Sequence, residues 1–154
     1  MGGSKHKKIV SSGNPKERSV VREENPDSYY SSYPSWCFKA CDNEMWSFTE
    51  KSVGIRFWSE ILPCLKSLET QQWKQILIDA KKQNHSINVN DLNPVAKGRL
   101  KELYIEQEAI ISLRICAKHR IYGFITNGVF YILWYDSDHG DNSSCVCRSH
   151  KKHT

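Results

Sequence analysis

Apolar residues change their spacing several times along the chain, and each change predicts an element. Residues 1–35 carry Lys, Ser, Asn, Pro and Tyr with no apolar period, the pattern of a flexible arm. EMWSFTE, residues 44–50, alternates with Trp46 and Phe48 on one face and predicts a first strand. After Gly54, the positions Phe57, Trp58, Ile61, Leu62, Leu65 and Leu68 recur at helical spacing and form one buried stripe. Pro63 lies inside that stripe and predicts a kink, because it removes a backbone donor and crowds the preceding turn. A second helical stretch opens near Glu69-Thr70, with Trp73, Ile76, Leu77 and Ala80 on one face. The two stretches are expected to pack as a helical hairpin.

The segment KKQNHSINVNDLN, residues 81–93, reads as a polar loop with His85 solvated in it. Asn93-Pro94 is a helix start, a side-chain cap followed by proline where no donor is needed. VAKGRLKEL then predicts a short helix with Val95, Leu100 and Leu103 inward, weakened by Gly98. Three strands follow, AIISLRICA at 109–117, HRIYGFIT at 119–126 and VFYILWYD at 129–136. Asn127-Gly128 between the last two is a tight hairpin signal, since a type I′ turn needs positive φ at both central residues. The last strand is apolar on both faces, which places it inside the sheet. The order β-α-α-(α)-β-β-β predicts an α+β fold, a small and mostly antiparallel sheet with the helical hairpin packed on one face.

The length of 154 residues fits one domain, so the chain divides into the arm 1–35, an α+β domain at 36–142 and a Cys/His-containing basic tail at 143–154. The net charge of +5 resides in the ends. Residues 1–22 hold six Lys or Arg against one acid, and residues 148–154 hold three with no acid. The stretch between, 23–147, is net −3. Basic ends on a slightly acidic body suit loose contact with nucleic acid through Arg148, Lys151 and Lys152, or serve solubility alone. No run approaches the roughly 18 apolar residues of a membrane span, and the N-terminus lacks an apolar signal core. A cytoplasmic protein without membrane contact and with its six cysteines as free thiols is therefore expected.

Three constellations carry candidate chemistry. Arg114, Lys118, His119, Arg120 and Tyr122 form the first, in which Arg114 and Arg120 flank the tight Ala117-Lys118-His119 link and their guanidinium groups, on one face, can hold phosphate by bidentate hydrogen bonds. A solvated face with cross-strand ion pairs is the plain alternative. Tyr135, Asp136, Asp138 and His139 lie at the exit of the last strand. His139 and Tyr135 there suit general acid–base work, and the same Asp-Ser-Asp-His-Gly stretch is also good turn chemistry. The stretch begins like a calcium loop, but its twelfth position is Cys147 rather than Glu, which excludes an EF-hand. In CVCRSHKKH, residues 145–153, Cys145, Cys147 and His150 are candidate zinc ligands, with His153, Cys37 and Cys41 as possible further donors. Gly-rich phosphate loops, G-x-S-x-G and H-E-x-x-H are all absent.

SLRICAKHRIYGF and VFYILWYDSDH, behind one strand and a helical hairpin, resemble the RelE/ParE superfamily of bacterial toxins over about residues 44–140. The resemblance implies a toxin of a toxin–antitoxin pair, a metal-independent endoribonuclease that needs no cofactor and cuts messenger RNA on the ribosome. In that family basic residues hold the RNA while the 2′-hydroxyl attacks the neighbouring phosphate. By position, Arg120 would stabilise the phosphorane with Arg114 and Lys118 assisting, and His139 or Tyr135 would be the base or acid. A cognate antitoxin would cover the sheet or the helical hairpin. The three acids after the last strand depart from the family's basic segment. A non-catalytic protein- or nucleic-acid-binding module of the same fold, or a zinc-stabilised interaction protein, are the alternatives.

Overall fold

The computed structural model describes residues 29–139 and 145–147. The strands are β1 (Ser35–Cys37), β2 (His85–Asn88), β3 (Ala109–Cys116), β4 (His119–Thr126) and β5 (Val129–Asp136). They form one sheet in the order β1-β5-β4-β3-β2. The pairs β2/β3, β3/β4 and β4/β5 are antiparallel, and β1 joins β5 in parallel, so the sheet is mixed. The Asn127-Gly128 turn forms as its chemistry dictates, with φ of 55° and 81°. β5 has a neighbour on each side, as its two apolar faces require.

Two strands and one predicted strand differ from the sequence reading. Residues 44–49 form no strand, because Trp46 adopts a φ of 43° that breaks extension. The Trp46 carbonyl still accepts from the Tyr135 amide at 2.9 Å, so the loop runs beside β5. Edge strand β2 falls within the segment read as a loop; its residues are polar apart from Ile87, and mostly exposed. Residues 29–35 belong to the packed body, since Tyr29 is buried and meets Trp73 edge-on.

The helices are short. Thr49 caps α1 (Glu50–Val53), accepting from the Ser52 amide, and Gly54 ends it at a φ of 58°. A π-helical turn at Phe57–Ile61 runs into α2 (Leu62–Leu68). Pro63 therefore sits in the first turn of α2, where its missing donor costs little, and the break precedes it as a widened turn. Trp58 is left exposed instead of joining the buried stripe. The second stretch condenses to another π-helical turn, Gln75–Asp79. α3 (Pro94–Glu102) starts where Asn93 accepts from the Val95 amide, and it buries Ala96 and Leu100 while Val95 points outward.

Elements cover both faces of the sheet, rather than one as the pattern predicts. Ile61, Leu65, Trp73 and Ile76 pack with Ile111, Leu113, Ile121, Phe130 and Ile132 on one face. On the other, Leu92, Ala96, Leu100 and Val146 pack with Ile110, Tyr122, Leu133 and Trp134. A β-bulge lets β5 serve both, since register slips between the Tyr122↔Trp134 and Gly123↔Ile132 pairs. Gly123 is obligatory there: a Cβ would stand 2.1 Å from the Tyr131 carbonyl oxygen. Asp42 clamps the second face. Its buried carboxylate accepts from Arg99 Nε and Nη2, each at 2.8 Å, and from Trp134 Nε1 at 3.0 Å. Among the described residues, no helix is long and apolar enough to cross a membrane.

Candidate functional site

Sheet register sorts the candidate residues. Arg114 and Arg120 are direct cross-strand partners. Arg120 in turn pairs with Asp136, and Tyr122 with Ser112. Because side chains alternate along a strand, Arg114, Arg120, Tyr122 and Asp136 share the face that α3 packs against. His119, Ile121 and Tyr135 share the opposite face. The predicted group Arg120, Arg114, His139 and Tyr135 is therefore divided, with Tyr135 on the far side of the sheet.

The β5 exit folds back on the β3–β4 turn, where the His139 amide donates to the Lys118 carbonyl at 3.0 Å. Asp136 fixes this path. Its buried carboxylate accepts from the Asp138 amide at 2.9 Å and from the Val146 amide at 2.8 Å, which draws residues 145–147 onto the sheet. Burial raises the Asp136 pKa, and these two bonds pull against it. His139 Nδ1 lies 3.1 Å from Tyr122 Oη and 3.3 Å from Cys147 Sγ, and those two atoms are themselves 3.3 Å apart. Burial pushes both the Tyr122 hydroxyl and the Cys147 thiol upward, so both stay protonated at neutral pH. Tyr122 and Cys147 as neighbours of His139 were not readable from the sequence: Tyr122 groups there with Arg114 and Arg120, and Cys147 with the tail.

Neither Arg114 nor Arg120 has a carboxylate within salt-bridge distance among the described residues. Arg120 Nη1 donates to the Ala117 carbonyl at 2.7 Å and the His119 carbonyl at 3.1 Å, which folds the guanidinium over its own turn. Burial, with Arg114 adding like charge, lowers the Arg120 pKa. Lys118 lies exposed in the turn.

On the opposite face, His119 Nδ1 is 2.6 Å from Tyr135 Oη. Arg56 Nη1 lies 3.3 Å from His119 Nδ1 and 3.2 Å from Nε2. Contact with both nitrogens places the guanidinium against the ring. Burial and Arg56 together lower the His119 pKa. The Cys116 thiol points at Glu60 Oε1, 3.6 Å away. The one sequence signal for this group is Cys116-x-x-His119 across a tight turn, and nothing in the sequence joins Glu60 to it.

The zinc candidates in the tail are only partly described. Cys145 is buried and its thiol points to the Cys147 carbonyl oxygen at 2.9 Å. Among the described residues, Cys145 and Cys147 share no three-donor metal group with Cys37 or Cys41. His150, His153, Arg148, Lys151 and Lys152 lie outside the described residues. Comparison with protein-family models, with curated proteins and with solved structures finds no match.

Proposed function

We propose that the protein binds an RNA backbone at the Arg114/Arg120 end of the sheet and cleaves it as a metal-independent endoribonuclease of the RelE-like kind. One observation carries this reading: two arginines are direct cross-strand partners on neighbouring strands, with no carboxylate within salt-bridge distance of either among the described residues. Like charges directly opposed on a sheet are destabilising, and a bound phosphate converts that repulsion into two charge-assisted attractions. His139 stands at the same end, on the face of Tyr122.

In this mechanism the 2′-oxygen forms a bond to phosphorus as the bond from phosphorus to the 5′-oxygen breaks. His139 takes the 2′-hydroxyl proton or returns one to the leaving oxygen, and Arg114 and Arg120 hold the extra negative charge of the phosphorane. Tyr135 stands apart from this step, on the other face. The substrate is messenger RNA on the ribosome, and a cognate antitoxin would silence the enzyme by covering this edge.

Primer extension on messenger RNA from cells briefly expressing the parent or the Arg120→Ala, His139→Ala double variant tests the reading. Cuts within reading frames that vanish in the folded variant support it. Full-length messages in both strains refute cleavage. A second reading, a non-catalytic nucleic-acid-binding module, is favoured by the bonds that fold Arg120 over its own turn. It expects salt-sensitive RNA binding by the pure protein with no product.

A further inference from the structure

We propose that Glu60, Cys116 and His119 form a zinc site with one coordination position open to water. It is independent of the ribonuclease reading and lies on the opposite face of the sheet from Arg120. One ligand atom from each residue lies within 4.8 Å of the other two, and all three side chains are half-buried. Thiol, imidazole and carboxylate are together a donor set suited to zinc. The Cys116 Sγ to Glu60 Oε1 distance of 3.6 Å fits the edge of about 3.5 Å that a zinc tetrahedron with ordinary bond lengths requires.

The surroundings fit as well. Tyr135 Oη holds His119 Nδ1 at 2.6 Å, which fixes the ring and leaves Nε2 as the ligating atom. On binding, the Cys116 sulfur exchanges its proton, released to solvent, for a bond to the metal. A dication with one thiolate and one carboxylate is neutral overall, so the Arg56 guanidinium does not oppose it. Arg56 is exposed, and metal binding requires its Nη1 to leave the Nε2 atom it overlies. The three donors come from the π-helical turn before α2 and from both sides of the β3–β4 turn. The metal would therefore cross-link segments more than fifty residues apart in sequence.

The test uses the full chain, stripped with chelator under reducing conditions and titrated with Co²⁺ as a spectroscopic probe. The expected result is one equivalent of tetrahedral Co²⁺ per chain with a sulfur-to-metal charge-transfer band. Zn²⁺ should displace it. Cys116→Ser and His119→Ala should abolish the band, while the Cys145→Ser, Cys147→Ser double variant should keep it. Glu60→Gln, which removes one charge and preserves size, should weaken binding at least tenfold with circular dichroism unchanged, and so guards against a variant that merely misfolds. Absence of stoichiometric binding by the parent overturns the proposal. So does binding that survives Cys116→Ser and disappears with Cys145 and Cys147, which would place the metal in the tail.

Discussion

At the residue scale, two positions decide more than their neighbours in sequence reveal. Gly123 is required because the β5 bulge brings the Tyr131 carbonyl and the Phe130 ring against its Cα. Gly123→Ala should cost at least the roughly 1–3 kcal/mol of an overpacked core, read as a lowered denaturant midpoint. Asp42 is the other. Its burial by itself would raise the carboxyl, but the Arg99, Trp134 and backbone donors outweigh this and hold the pKa at about 2, against 3.8 for the free group. A depressed folded-state pKa stabilises the fold above the unfolded value and loses that contribution as the proton returns. Asp42 should therefore supply roughly 2–3 kcal/mol above about pH 4, lost as pH falls toward 2. Asp42→Asn should flatten that acid limb in a melting series and lower stability at neutral pH by roughly 1.5–3 kcal/mol, because Arg99 loses its buried partner and keeps the exposed Glu44 and Glu102. Asp136 accounts for one of the three acids at the end of the last strand. It is a staple for backbone amides rather than a partner for phosphate.

At the element scale, legibility follows apolar content. β3, β4 and β5 stand where alternation and the Asn-Gly turn place them, and the Asn93-Pro94 cap starts α3 as its chemistry demands. β1 is three residues long and β2 carries one apolar side chain, so neither has a period to detect. The helical stretches keep most of their buried positions, Trp58 excepted, but not their regularity, and the first accommodates Pro63 by a π-helical turn ahead of it. The segment 145–147 looked like the start of a tail, yet Val146 is fully buried and Cys147 bridges to Leu92. Its anchors are the Asp136 carboxylate and the Asn93 side chain, which donates to the Cys145 carbonyl at 3.1 Å. Asp136→Ala should free the Val146 amide, raising its hydrogen-exchange rate by at least tenfold while β4 amides remain protected.

At the scale of the whole molecule, the sheet separates two kinds of chemistry. Arg114, Arg120 and His139 lie toward one face, and Glu60, Cys116 and His119 toward the other. Substitutions on opposite faces act on side chains that point apart, with Arg120 touching His119 at its backbone carbonyl, so their effects should add approximately. Arg120→Ala should reduce RNA cleavage by about 10²–10³ with Co²⁺ binding unchanged, and Cys116→Ser should do the reverse. Single-turnover cleavage and metal titration on the same preparations check both. The α+β class, the three long strands, the interior place of β5 and the nearness of Arg114 to Arg120 across a short turn are legible along the chain. All of these follow from local periodicity and turn chemistry. Folding in three dimensions makes the sheet mixed, covers both its faces, parts Tyr135 from His139, and brings Glu60 to Cys116 and His119. Those outcomes depend on register, on one bulge, and on contacts between residues far apart in the chain. No local pattern encodes them, because a slip of one residue sends a side chain to the other face.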